Sequence, residues 1–244
     1  MSKKIILIII TIIIMGWIGY SVYKSSITPE QNLAADAKNA VYIIEGEEFT
    51  LVNGRAEKEI APGSASKIIT LYFGNDATGD LNGDGRNDVA FLLTQNSGGS
   101  GTFYYVAVAL NTEKGYQGIN AILLGDRIAP QTTEIQGGKI IVNYAERRID
   151  EAMVTPPSIG ITKQFALDGA TLKDITSEEA KKEQACVISG GTIKTSLCCK
   201  SAGDFPNLCL IGACGCSPTD SHQIKVCDCG KGKCFNGNGC VVVQ

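Results

Sequence analysis

The chain has little histidine and tryptophan, one of each, and none of its ten cysteines comes before Cys186. A single histidine, His222, leaves little material for acid–base catalysis, because histidine is the side chain that most readily moves protons near neutral pH. Basic residues are not in excess either: the formal net charge is −3 and the pI is about 5.3. This balance argues against a nucleic-acid partner, which needs a clustered positive surface.

Charge is also missing from residues 5–23, which are rich in isoleucine. An apolar run of this length predicts a transmembrane helix. Lys3 and Lys4 precede it and Lys24 follows it, which favours a cytoplasmic N-terminus. No small-residue cleavage pattern or lipobox cysteine follows, so we expect an uncleaved signal anchor rather than a cleaved signal peptide. The chain would then be a single-pass cell-membrane protein with its C-terminus outside.

The anchor would divide the N-terminus into a cytoplasmic tail, residues 1–4, and a stalk, residues 24–38. In the stalk, Thr28-Pro29-Glu30-Gln31 has a capping residue followed by proline at the first helical position. A short helix that ends near Lys38 is therefore predicted.

From Asn39 the pattern changes to short apolar and β-branched runs separated by turn residues, which predicts strands. Asn53-Gly54 and residues 96–101 predict two of the turns. The predicted strands are Val41–Ile44, Phe49–Val52, Ile68–Phe73, Val89–Thr94, Thr102–Leu110, Ile119–Leu124, Lys139–Tyr144 and Ile161–Leu167. We expect a mainly β (or α+β) extracytoplasmic domain over residues 39–175, followed by a small disulfide-rich domain.

The most specific pattern of the chain, D-x-N-x-D-G-x-x-D, begins directly after Gly79, and Gly85 stands at its sharp bend. Its oxygen donors are Asp80, Asn82, Asp84 and Asp88. Ca²⁺ prefers about six to eight such oxygen ligands, and alternate residues of a tight loop can face one centre. Without a cation, the three carboxylates would repel one another. The pattern predicts one structural Ca²⁺, with a metal-free acidic turn as the alternative.

This loop is not an EF-hand, because its twelfth position is Phe91 rather than glutamate. The segment GDLNGDGRNDVAFL instead resembles the calcium loops of FG-GAP (integrin β-propeller) and thrombospondin-type repeats. The resemblance implies side-chain ligation by the four donors above and carbonyl ligation by Arg86. A single copy does not imply a whole propeller.

A wider block, residues 40–174, resembles an uncharacterised extracytoplasmic domain that recurs in bacterial lipoproteins and membrane-anchored proteins. The segments that suggest it are Leu51–Gly54, Ala61–Lys67, the acidic loop, Gln95–Phe103 and Leu124–Gln131. The resemblance implies no activity. Further on, DFPNLCLIGACGCSP resembles a small Cys-rich module of prokaryotic surface proteins, also of unknown role.

The C-terminus is predicted to consist of a linker, residues 176–185, and a Cys-rich module, residues 186–244. Thr176-x-x-Glu179 would cap a short helix from Ser177 to Gln184. All the cysteines lie in the module: Cys186, Cys198, Cys199, Cys209, Cys214, Cys216, Cys227, Cys229, Cys234 and Cys240. This density is typical of a disulfide scaffold outside the cytoplasm.

Ten cysteines allow five bridges, whose connectivity the sequence leaves open. The adjacent Cys198 and Cys199 are expected to bond to different partners. The alternative is a zinc site formed by Cys214, Cys216, Cys227 and Cys229 around His222. The C-x-C spacing and an oxidising compartment both disfavour it.

Three further patterns have a functional interpretation beside a plain one. Ser64 and Lys67 fit the S-x-x-K pattern of penicillin-binding nucleophiles, without its companion motifs. Residues 98–101 could cradle an anion, although a hairpin turn is the simpler interpretation. Phe103 and Tyr105 share a strand face, which predicts core packing or a sugar-stacking platform.

Taken together, the sequence favours a non-enzymatic, membrane-anchored surface protein. It would have a structural Ca²⁺ site and a disulfide-rich module that binds an extracytoplasmic protein or glycan. The alternative is a cell-envelope hydrolase, or a protease-inhibitor-like protein that presents the segment Asp204–Asn207.

Overall fold

The computed structural model describes residues 36–210 and 212–243. The strands in these ranges are β1 (Val41–Ile44), β2 (Glu47–Thr50), β3 (Arg55–Glu59), β4 (Lys67–Gly79), β5 (Asp88–Asn96), β6 (Phe103–Thr112), β7 (Gly115–Gly118), β8 (Asn120–Asp126), β9 (Ala129–Gln136), β10 (Lys139–Glu146), β11 (Ile159–Asp168), β12 (Thr171–Asp174), β13 (Thr192–Cys199), β14 (Ser221–Asp228), β15 (Lys233–Phe235) and β16 (Cys240–Val242). The α-helix α1 spans Glu178–Ile188, and 3₁₀ turns lie at Ala37–Asn39 and Pro218–Asp220. The chain is therefore mainly β, as predicted.

Two sheets form the first part of this structure. The larger one has eight strands in the order β2-β1-β8-β6-β5-β4-β3, with β7 paired to β6. All its pairs are antiparallel except β1 with β8. The smaller sheet is the antiparallel series β12-β11-β10-β9.

The central strands β5 and β6 are buried on both faces, which explains their nearly continuous apolar sequences. On one face, Leu92 and Val106 pack against Phe165 and its neighbours in the smaller sheet. On the other face, Phe91 packs against Tyr42, with ring centroids 5.4 Å apart. Burial of each such side chain contributes roughly 1.5–3 kcal/mol, so both layers stabilise the paired sheets.

Eight of the strands lie where the sequence predicted them, although most extend further. Strands β3, β7, β9 and β12 of the two sheets, and β13 to β16 of the module, were not predicted. In β3, with the sequence RAEKE, only Ala56 is buried, because β3 is an edge strand whose other side chains reach solvent. Asn53 and Gly54 both have positive φ, at 52° and 80°, which fits the predicted tight turn before β3.

The predicted linker contains α1, which continues through Cys186 into the Cys-rich module. Ser177 is its N-cap and accepts the N–H of Ala180 at 3.2 Å. The predicted cap, Thr176, instead accepts the N–H of Gln164 on β11 at 2.9 Å, and this assignment was wrong. The local pattern allowed either residue, and the contact with β11 decides between them.

The predicted anchor, residues 5–23, and nearly all of the predicted stalk lie outside the described residues. Within the described ranges, no helix has the length and apolar character needed to cross a membrane. The module contains the antiparallel strand pairs β13–β14 and β15–β16.

Candidate functional site

The acidic loop connects β4 to β5, at the edge where the two sheets approach each other. A Cβ atom on Gly79, the last residue of β4, would lie 2.7 Å from Ile135 Cγ2 of β9. Only glycine fits this close approach. The loop is thus held at both ends by paired strands, which fixes the positions of Asp80 and Asp88.

Asp80 organises the first half of the loop. Its Oδ1 accepts the N–H groups of Gly83 at 2.7 Å and Asp84 at 3.2 Å, and its Oδ2 accepts that of Gly85 at 2.9 Å. Gly83 and Gly85 have φ values of 79° and 80°, which other residues rarely adopt. Gly85 therefore stands at the bend, and the backbone wraps around one carboxylate.

Asp88 forms the base of the loop and is completely buried. Its Oδ2 accepts the N–H of Leu81 at 2.9 Å, and its Oδ1 accepts that of Asn111, at the end of β6, at 2.8 Å. In the described part of the chain, no cationic side chain forms an ion pair with it. A buried carboxylate with only two neutral donors is costly, since buried charges are normally paired or bound to a metal.

Asp84 and Arg86 form the outer part of the loop. The pKa of Asp84 is lowered, because its carboxylate accepts the backbone N–H of Arg86 and further bonds from Asn82 and the Arg86 guanidinium. That guanidinium lies 2.8 Å from Asp84 Oδ2, and its Nε donates to the Asn111 carbonyl at 2.8 Å. The side chain of Arg86 thus ties the loop to β6, a role that the sequence did not reveal.

The structure places the five predicted ligands in one loop but does not gather them around one point. Among the described residues, no three loop carboxylates lie within 4.8 Å of one another. The donor set suits Ca²⁺, and Asp80 and Asp88 are fixed in place. Asp84 is turned towards Arg86, so ion binding would require it to exchange the guanidinium for the metal.

The ten cysteines form five disulfides, as predicted. The pairs are Cys186–Cys227, Cys198–Cys214, Cys199–Cys216, Cys209–Cys234 and Cys229–Cys240. Cys198 and Cys199 bond to different partners, also as predicted. Every cysteine proposed for the zinc alternative is oxidised, which removes the thiolates that zinc needs.

The interior of the module is small and includes the aromatic rings of Phe205 and Phe235. Phe205 is fully buried, has a φ of 51°, and donates its N–H to the Lys225 carbonyl at 2.8 Å. Asp204 accepts the N–H of Lys225 at 2.7 Å. The segment Asp204–Asn207 is therefore anchored to β14, and its presentation as an inhibitory loop stays a prediction.

The S-x-x-K pair lacks the geometry of a nucleophile and base. Lys67 Nζ donates to Glu57 Oε2 at 2.8 Å, and this hydrogen bond raises the pKa of Lys67. A lysine held in its charged form cannot take a proton from Ser64. His222 Nε2 lies 2.8 Å from the Ala202 carbonyl, so this nitrogen is occupied by the backbone.

The remaining patterns have structural roles. The N–H of Gly98 is taken by Asn96 Oδ1 at 2.7 Å within the hairpin between β5 and β6, where an anion would need a free donor. Tyr105 is 2% exposed, and burial raises the pKa of its phenol. It belongs to the core, so it forms no sugar platform with Phe103.

Comparison with known proteins adds nothing to this geometry: no protein-family model, curated protein or solved structure matches the chain.

Proposed function

We propose that this protein is a membrane-anchored, extracytoplasmic binding protein without enzymatic activity. Its N-terminal apolar run is the anchor, its β-rich part is stabilised by one Ca²⁺ in the acidic loop, and its Cys-rich module is a rigid platform for an extracytoplasmic protein or glycan. The oxidised state of all ten cysteines supports a location outside the cytoplasm, because disulfides persist there.

The observation that carries the calcium proposal is the buried Asp88. Among the residues that the structure describes, its carboxylate is removed from water and accepts two backbone N–H groups, and no cationic side chain pairs with it. A divalent cation beside Asp80 and Asp88 would supply the missing positive charge. Each carboxylate oxygen has two lone pairs, so it can accept an N–H and still bind a metal.

Arg86 provides a way to separate a calcium loop from a metal-free acidic turn. Its guanidinium now neutralises Asp84, at 2.8 Å. If Ca²⁺ occupies the loop, Arg86→Ala frees Asp84 and strengthens calcium binding, while the carbonyl of residue 86 remains available. If the loop is a metal-free turn, the same substitution removes a hydrogen bond from the loop and lowers the stability of the protein without affecting calcium binding.

The experiment is calorimetry of the full chain with millimolar Ca²⁺ and with a chelator. We expect Ca²⁺ to raise the melting temperature of the wild type, since a ligand that binds only the folded state stabilises it. Asp80→Asn should lose this shift. Asp76→Asn, which changes an acidic residue of β4 outside the loop, should keep it. An unchanged melting temperature in the wild type would contradict the proposal.

The membrane location is tested separately, in cells. A protease added outside intact cells should remove the Cys-rich module, and the rest of the chain should sediment with membranes. Protection of the module until the cells are lysed would contradict the proposed orientation.

The binding role is tested by capture with the full chain on its native membrane. A partner that is lost when the module is reduced would support the role of the platform, and capture unaffected by reduction would contradict it.

A further inference from the structure

Two disulfides of the module are in direct contact. Cys227 Sγ lies 3.7 Å from Cys240 Sγ and 3.8 Å from Cys229 Sγ, so the Cys186–Cys227 bridge touches the Cys229–Cys240 bridge. Disulfides exchange when a thiolate attacks a sulfur atom of another bridge. A thiolate formed at Cys229 or Cys240 would therefore already be beside its next target.

A cavity of about 370 Å³ lies beside these two bridges. Its lining includes Cys227, Cys229 and Cys234, which belong to three different bridges. Cys227 is only 1% exposed, whereas Cys229 is partly exposed. A small thiol that enters the cavity would thus meet Cys229 before Cys227.

Two lysines give this cavity a positive charge. Lys194 and Lys233 both line it, and so does one carboxylate, Asp228, so two cations and one anion leave a net charge of +1. Lys194 pairs with Asp228, and this bond lowers the pKa of the Asp228 carboxyl. Lys233 has no carboxylate partner within the described residues. Positive charge beside sulfur favours the thiolate form and attracts an anionic reagent.

We propose that this cavity is a thiol–disulfide exchange site for a small anionic thiol. The incoming thiol loses its proton and attacks Cys229 Sγ, which forms a mixed disulfide there and releases Cys240 as a thiolate. Cys240 then attacks Cys227 Sγ, 3.7 Å away, to form a Cys227–Cys240 bond. Cys186 leaves as a thiolate and takes up one proton, so one thiol is consumed, one thiol is released, and the number of disulfide bonds does not change.

The exchange has a structural consequence, because Cys186 lies in α1 and Cys227 lies in β14. The Cys186–Cys227 bond is the disulfide that joins this helix to β14. Its loss leaves weaker links, such as the ion pair of Lys225 with Glu179 at 2.8 Å. The helix would then be free to move away from β14, although the chain itself still joins it to β13.

The first test treats the oxidised full chain with glutathione, an anionic thiol, or with cysteamine, a cationic one, followed by acid quenching, alkylation and peptide mapping. We expect glutathione on Cys229, a free thiol at Cys186 and a Cys227–Cys240 bond.

Lys233→Gln should slow the glutathione reaction about threefold at low ionic strength, with no loss of rate for cysteamine. The control Lys200→Gln, outside the cavity, should leave both rates unchanged. First adducts on the exposed Cys209 or Cys216, or equal rates for both thiols, would overturn the proposal.

The second test needs no added thiol. Cys186→Ser leaves the Cys227 thiol beside the Cys229–Cys240 bond, and we expect a Cys227–Cys240 bond with Cys229 free. The control Cys216→Ser also lacks one bridge, but its free Cys199 neither lines the cavity nor belongs to the group of close sulfur atoms formed by Cys227, Cys229 and Cys240. It should keep its other four bridges. An intact Cys229–Cys240 bond in the Cys186→Ser variant would overturn the proposal.

Discussion

The β-rich region, residues 39–175, and the Cys-rich module, residues 186–244, are stabilised in opposite ways. The β-rich region has two layers of buried side chains, and its centre is occupied by aromatic and branched residues such as Phe91 and Phe165. The module has two small clusters in which half-cystines stand beside a few apolar residues. A short glycine-rich segment cannot bury a core of its own, so covalent bonds replace burial.

The acidic loop is the exception within the β-rich region. There the chain is fixed by charge and hydrogen bonds around Asp80 and Asp88 rather than by apolar packing. The comparison thus separates three kinds of support in one molecule: packing, covalent bonds and an electrostatic loop. Each kind of support can be removed separately, by a substitution or by a reductant.

Reduction should have the largest effect and should divide the two regions. With excess phosphine reductant the module is expected to lose its structure, because removing one bridge typically costs about 2–5 kcal/mol and all five are removed. Hydrogen exchange should show unprotected amides in β13 and β14, while those of β5 and β6 stay protected. Loss of amide protection in both regions would contradict the claim that the two regions are stabilised independently.

Removal of a buried ring should have the next largest effect, in the β-rich region. Phe165→Ala is expected to cost about 3–5 kcal/mol of unfolding free energy, because Phe165 is fully buried between the sheets. Denaturant unfolding measures this cost. The matched control is Phe103→Ala, at 36% exposure, which should cost much less. Equal losses of unfolding free energy in the two variants would contradict the assignment of Phe165 to the core.

Asp88→Asn tests the loop. The amide keeps the shape but retains one acceptor oxygen, so either Leu81 or Asn111 loses its partner. Without calcium we expect a loss of about 1–3 kcal/mol. Glu113→Gln, which changes a side chain that is 88% exposed close to Arg86, is the control and should change little. The comparison is made by denaturant unfolding in chelator.

The smallest effect is expected from the exposed ion pair of Glu57 with Lys67. The hydrogen bond from Lys67, and then that from Arg55, lowers the pKa of Glu57 to about 2. A lowered pKa stabilises the folded state above the unfolded value near 4.5, and this contribution disappears as the pH falls towards 2. The difference in melting temperature between wild type and Glu57→Gln should therefore shrink between pH 5 and pH 2. A pH-independent difference would contradict the pairing.

The sequence predicted strands best where burial dominates. The apolar runs of β5 and β6 needed no tertiary information. The strands β3 and β9 were missed because few of their residues are buried and the partner strands decide their conformation. The spacing of the loop donors along the chain was enough to propose them as ligands. It could not reveal that Asn111, far along the chain, donates a backbone N–H to Asp88, since every residue but proline carries that group.

Titration of the full chain with Ca²⁺ by isothermal calorimetry tests the central claim most directly. We predict one ion bound per chain, no binding in Asp80→Asn, and tighter binding in Arg86→Ala. Absence of a binding signal in the wild type, together with weaker stability of Arg86→Ala in chelator and in calcium alike, would contradict the claim and leave a metal-free acidic turn.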